Sequence, residues 1–129
     1  MGKRKRLYSY KLKQEKKIKN ITLLNKVKIS PKKIIPVIKL IKGKSINYAL
    51  NILDNYISYK ISNILTNLIK SAISNYKNKK GEEEIDKNKI FIKNIIVNSS
   101  GIKKKIKYVS LGRCHIIKKK ISNIKLIIN

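Results

Sequence analysis

From Lys87 to Asn129 the chain carries twelve Lys and Arg and not one Asp or Glu. An acid-free stretch of that length has no counter-charge of its own, so its folded form sets lysines beside one another or meets a polyanion. The remainder is graded. Residues 1–28 hold eleven cations and the single acid Glu15, while residues 29–86 hold ten cations and five acids. A near-balanced centre lies between two strongly basic ends, and the ends are where a polyanion is expected to touch.

The 129 residues suffice for one domain with one modest core. Against a formal charge of +27, 42% of the residues are apolar, too many for a wholly disordered basic tail. The single cysteine, Cys114, excludes an internal disulfide framework and fits a reducing compartment. Lysines interrupt every apolar run before the 18 or so residues that a membrane span requires, so no membrane partner is expected. Arg6 stands where a myristoylation signal needs Ser or Thr, and no apolar segment follows the basic start as in a secretory signal. Ile, Lys and Asn account for 27, 30 and 14 residues, a bias that makes Lys in place of Arg uninformative. Only Arg4, Arg6 and Arg113 offer the planar fork that grips a phosphate with two hydrogen bonds.

Residues 1–20, with sparse apolar positions at Leu7, Tyr8, Tyr10 and Leu12, read as a basic arm that orders on binding. Residues 21–129 read as one domain. Ile21, Leu23, Val27 and Ile29 alternate with polar residues, as in a half-buried strand. Ser30 as N-cap and Pro31 at the first helical position open a helix faced by Ile34, Val37, Ile38 and Ile41 and closed by Gly43. Pro36 within it removes a backbone hydrogen bond and is expected to kink the helix, at about 3 kcal/mol. Ser45 caps a second helix faced by Ile46, Ala49, Leu50 and Leu53. A third and longer one carries Ile57, Ile61, Ile64, Leu65, Leu68, Ile69, Ala72, Ile73 and Tyr76 at steps of three and four, with Lys60, Ser62, Asn63, Asn67, Lys70 and Ser74 opposite. At about 1.5–3 kcal/mol per buried aliphatic side chain, that stripe supplies much of the apolar driving force. Residues 77–89 read as a charged loop, with Gly81-Glu82-Glu83-Glu84-Ile85-Asp86 directed away from phosphate. Phe91 to Val97 and Ile121 to Ile128 read as strands, the latter with Ile124, Leu126 and Ile128 on one face.

Between those strands, Asn98 to Lys120 contains Lys103, Lys104, Lys105, Lys107, Arg113, Lys118, Lys119 and Lys120, with turn positions at Gly101 and Gly112. A two-stranded ribbon projecting from a small domain is not stable alone in water, so an ordered one requires an external surface. Folded RNA is the expected surface. Clustered cations give strong, salt-sensitive binding through counterion release but no base-specific reading. Isolated lysines such as Lys60, Lys70 and Lys93 read as a solvated face.

Residues for catalysis are missing. Cys114 and His115 are neighbours on an extended strand and point to opposite faces, so they form no nucleophile–base pair. One Cys and one His fall short of the four ligands of a structural zinc site, and the acidic run lacks the alternating ligand register of a calcium loop. Gly43-Lys44-Ser45 lacks the upstream glycine and preceding strand of a phosphate-binding loop. Neither metal, cofactor nor enzymatic activity is expected.

The runs Ile29-Ser30-Pro31-Lys32-Lys33, Leu40-Ile41-Lys42-Gly43-Lys44-Ser45, Ala49-Leu50-Asn51-Ile52-Leu53 and Lys70-Ser71-Ala72-Ile73-Ser74-Asn75, followed by Gly112-Arg113 with Ile117, Lys119, Lys120 and Ser122, resemble the ribosomal protein L-twenty-two family of the large subunit. Order and spacing agree from about residue 21 onward. The resemblance implies an α+β fold in which three helices pack on a small three-stranded antiparallel sheet with a long extended β-hairpin. It further implies a non-enzymatic constituent of a cytoplasmic ribosome, or of an organelle with a bacterial-type ribosome. Such a protein binds large-subunit ribosomal RNA, supports assembly, touches neighbouring ribosomal proteins and places a hairpin tip at the nascent-peptide exit tunnel. The ribbon cations, with Lys32, Lys33, Lys42 and Lys44 at the helical end, are then the RNA-binding residues. Tyr108, Val109, Ser110, Leu111 and Gly112 form the tunnel tip. The family's usual Pro-Arg-Ala run near the tip is replaced by Tyr108-Val109-Ser110, and its usual histidine after Ser122 by Asn123. The competing expectation is an architectural protein that compacts DNA, which would bind duplex DNA as well as folded RNA.

Overall fold

The computed structural model describes residues 5–10, 20–81 and 86–129. Among them the order is a short helix α1 at residues 5–10, β1 (Asn20–Val27), α2 (Pro31–Ile41), α3 (Ile46–Asp54), α4 (Tyr59–Lys80), β2 (Ile92–Tyr108) and β3 (Cys114–Ile128). The strands form one antiparallel sheet in the order β1-β3-β2. Helices α2 and α4 pack on the sheet and α3 packs against both of them, giving the expected α+β architecture, with α1 as one helix more than the three anticipated. Of the arm at 1–20, residues 1–4 and 11–19 lie outside the described residues. So do Glu82, Glu83, Glu84 and Ile85 of the acidic run.

Each helix forms for reasons local to its sequence. In α2, Pro31 occupies the first turn and Ile34, Val37, Ile38 and Ile41 are buried. The helix runs on through Pro36, whose side is exposed, so the carbonyl it deprives of a partner, that of Lys32, faces water. Gly43 adopts φ +77° just past the end, and its N–H donates to the Ile92 carbonyl at 2.9 Å. The Ile92 N–H returns a bond to the Lys44 carbonyl at 3.0 Å, so the α2–α3 turn is clamped to the start of β2.

Helix α4 departs from expectation at both ends. It begins at Tyr59 behind its N-cap Ser58, and Ile57, assigned to the apolar stripe, is fully exposed in the preceding turn. The first backbone bonds of the helix, from the Ile61 and Ser62 N–H groups to the Ser58 carbonyl at 3.1 Å, set where it starts, and Ile57 lies before them. Ser62, assigned to the polar face, is buried, and its hydroxyl donates to the Leu53 carbonyl at the end of α3. That bond adds a second donor to a carbonyl at the C-terminal end of α3, which also accepts from the Tyr56 N–H at 3.2 Å. The helix also continues to Lys80 rather than ending at Tyr76, because Lys77, Lys79 and Lys80 favour the negative end of the helix dipole and Gly81 closes it at φ +70°.

In β1 the inward face matches the expected alternation only past a bulge, at Val27 and at Ile29 just beyond the strand. Thr22 and Val27 are buried, whereas Leu23 is 61% exposed. The ladder with β3 slips by one residue between Leu24 and Val27, a β-bulge that exchanges the two faces. Lys26 sits in the bulge at φ +57°, an uncommon conformation for lysine, and its N–H donates to the Asn123 Oδ1 at 2.8 Å. Asn123 thus holds the bulge.

A second bulge lies between Ser99 and Gly101 on the other neighbour of β3. Val27 and Ser99 both pair with Ser122, which is fully buried and donates through its hydroxyl to the Ile29 carbonyl at 2.9 Å. At this level the three-stranded sheet ends. Beyond it only β2 and β3 continue.

Candidate nucleic-acid interface

Past Ser122 the strands β2 and β3 pair without interruption from Gly101↔Ile121 to Tyr108↔Cys114. The nine steps from Ser99 to Tyr108, at about 3.3 Å each, carry the ribbon roughly 30 Å out from the body. Every residue from Asn98 to Lys120 is exposed. The ladder sets Lys103 opposite Lys119 and Lys104 opposite Lys118, and pairs Lys107 with His115. Like charges directly opposed destabilise a sheet, and no side chain on the ribbon is buried to compensate. The ribbon therefore leaves its own charges uncompensated.

The two faces share the cations. Side chains alternate along each strand and directly paired residues project to one side. Lys104, Lys118 and Lys120 thus share a face with Ile102, Ile106, Ile116 and Tyr108. Lys103, Lys105, Lys107 and Lys119 share the other with His115 and Ile117. The strands are joined by a turn in which the Val109 N–H donates to the Arg113 carbonyl at 3.0 Å, and Leu111 and Gly112 take φ +62° and +68°. Of the tip residues, Tyr108 closes the ladder, Val109 to Gly112 form the turn, and Leu111 projects with 90% of its surface exposed. Cys114 and His115, adjacent on β3, face opposite sides as expected.

At the base of the ribbon, Lys118, Lys119 and Lys120 meet Lys33 from the first turn of α2 in one cleft of about 440 Å³. Lys28 and Lys60 line the same cleft. Neither was legible as a member of a cluster. Lys60 reads as an isolated surface lysine, and Lys28 faces the cleft because the bulge at Lys26 has exchanged the faces of β1. Lys32 is exposed on the same first turn of α2 without lining the cleft. Lys42 and Lys44 are not brought to this cluster. They flank Gly43 beside Ile92, at the far end of β2 from the ribbon, where Lys44 lies 5.3 Å from the Tyr48 ring centroid.

Among the described residues no three His, Cys, Asp or Glu gather as metal ligands, and no helix is long and apolar enough to cross a membrane. Asp86 is paired with Lys89 at 2.7 Å, and the hydrogen bond and charge of that lysine lower its carboxyl below the usual value. Both groups are exposed, so the pair contributes little to stability.

Residues 22–129 match the family model for Ribosomal protein L22p/L17e. The chain belongs to this family. Among the uL22 relatives, the large ribosomal subunit protein of Christiangramia forsetii is 30% identical over 128 residues, 99% of this chain and 94% of that protein. The corresponding protein of Karelsulcia muelleri is 34% identical over 117 residues, 91% of this chain and 85% of its own. That of Mycoplasmopsis agalactiae is 36% identical over 99 residues, covering 77% and 83%. As a uL22-family protein the chain is structural and not an enzyme.

Proposed function

We propose that the chain is a constituent of the large ribosomal subunit that binds large-subunit ribosomal RNA, supports subunit assembly and places its hairpin tip at the nascent-peptide exit tunnel. The observation that carries this reading is the ribbon itself. It is about 30 Å of exposed antiparallel ladder without an acid, with lysine opposite lysine at two successive pairs. RNA phosphates on either side neutralise what the protein leaves uncompensated. Lys32, Lys33, Lys42 and Lys44 then hold further RNA segments at the helical body, Lys33 near the ribbon base and Lys42 and Lys44 at the opposite end. Neighbouring ribosomal proteins complete the surroundings within the ribosome. The nascent polypeptide would pass the exposed turn at Ser110, Leu111 and Gly112, which is small and carries one cation, Arg113, at its edge.

Co-sedimentation tests the reading. The chain is expected to sediment with large subunits and to bind their RNA in preference to duplex DNA by at least tenfold in a competition assay at 0.15 M salt. Equal affinity for duplex DNA would favour an architectural DNA-binding role instead.

A further inference from the structure

Segments far apart in sequence meet at the base of the ribbon, and the side chains they bring are charged with one sign. Lys28, Lys33, Lys60, Lys118, Lys119 and Lys120 line the cleft, and among the described residues no carboxylate does. Ser30 and Ser58 also line it, and these are the N-cap residues of α2 and α4. Neither serine side chain is committed to a hydrogen bond within its own helix, and neither helix carries an acid in its first turn. The positive ends of two helix dipoles therefore add to the lysines that line the cleft.

One phosphodiester brings one negative charge, which leaves most of this set repelling itself across a small volume. Several phosphates held close together match it. We propose that the cleft is a seat for a compact cluster of phosphates, of the kind formed where an RNA backbone turns sharply on itself. The ribbon differs, because its cations are strung along a line and suit strands running past. The inference rests on the RNA-binding reading for the source of the phosphates, whereas the match of charge and volume stands on the cleft alone. The bulge at Lys26 belongs to the device, since an uninterrupted β1 would turn Lys28 toward the helices instead of the cleft.

The test titrates the full chain with inorganic tripolyphosphate and, separately, with orthophosphate at 0.15 M salt, read by calorimetry and amide chemical shifts. Tripolyphosphate is expected to bind at least tenfold more tightly than orthophosphate and to shift the amides of Lys28, Ser30, Ser58 and Lys60. The double variant Lys28→Ala/Lys60→Ala should lose at least fivefold in tripolyphosphate affinity and about tenfold or more in affinity for large-subunit RNA, while Lys28→Arg/Lys60→Arg retains both. Both lysines are exposed, so the core is untouched, and an unchanged thermal transition verifies this. Shifts confined to residues 102–117, equal affinity for the two anions, or undiminished RNA binding by the alanine variant would overturn the cleft while leaving the ribosomal reading in place. Tripolyphosphate seated in the cleft of a chain that binds no ribosomal RNA would overturn the ribosomal reading instead.

Discussion

Replacing Lys118, Lys119 and Lys120 together by Ala is expected to weaken binding to large-subunit RNA by roughly a hundredfold at 0.15 M salt. The same change should flatten the dependence of log K on log salt by about two to three units. Each phosphate neutralised contributes about 0.7–0.9 to that slope through counterion release, so three contacts contribute about two to three. Carried from 1 M salt, where release no longer drives binding, down to 0.15 M, that slope amounts to about two decades of affinity. The three lysines are the right ones to remove because they serve both parts of the interface. They line the cleft against α2 and α4, and Lys118 and Lys119 stand opposite Lys104 and Lys103 where the ribbon departs. All three are exposed, so the variant keeps its fold, which circular dichroism verifies. A filter-binding series across salt with an unchanged slope would take these residues out of the interface.

Leu126→Ala is expected to cost about 2–5 kcal/mol of folding stability, measured as a lower urea midpoint with the denaturant slope retained. Leu126 is fully buried on the central strand, paired with Thr22 of β1 on one side and Ile95 of β2 on the other. Removing its side chain opens a cavity beneath α2 and α4, between two edge strands held in register by β3. For a small domain whose total stability is about 5–15 kcal/mol, such a loss is a large part of the whole. A cost below about 1 kcal/mol would show that β3 is not the centre of the core.

Much of this architecture is legible in the chain because it is written locally. The spacing of Ile34, Val37, Ile38 and Ile41, the N-cap positions of Ser30 and Ser45, although neither side chain makes a capping hydrogen bond, and the acid-free run around Lys103 to Lys107 each report their own surroundings. The errors fall where a distant partner decides. Nothing about Lys26 announces a positive φ, since lysine has no preference for it, and the Asn123 side chain that holds it lies 97 residues away. Simple alternation therefore places Val27 and Ile29 correctly inside but sets Leu23 inside in place of Thr22. Ser62 reads as polar surface until the Leu53 carbonyl is set beside it by the fold of α3 against α4. Lys28 and Lys60 belong to the same class, because the cleft exists only once the β1–α2 connection, the start of α4 and the base of the ribbon come together. Single residues report propensity and charge, whereas sites assembled from several segments depend on register.

Amide hydrogen exchange on the purified chain, with and without large-subunit RNA, asks most directly whether the ribbon owes its order to phosphate. Without RNA, amides from Ile102 to Ile117 should exchange orders of magnitude faster than those of Ile124 and Leu126, because no buried side chain supports their ladder. With RNA bound they should slow toward the values of the body. Ribbon amides already as protected as Leu126 in the free protein, and unaltered by RNA, would contradict it.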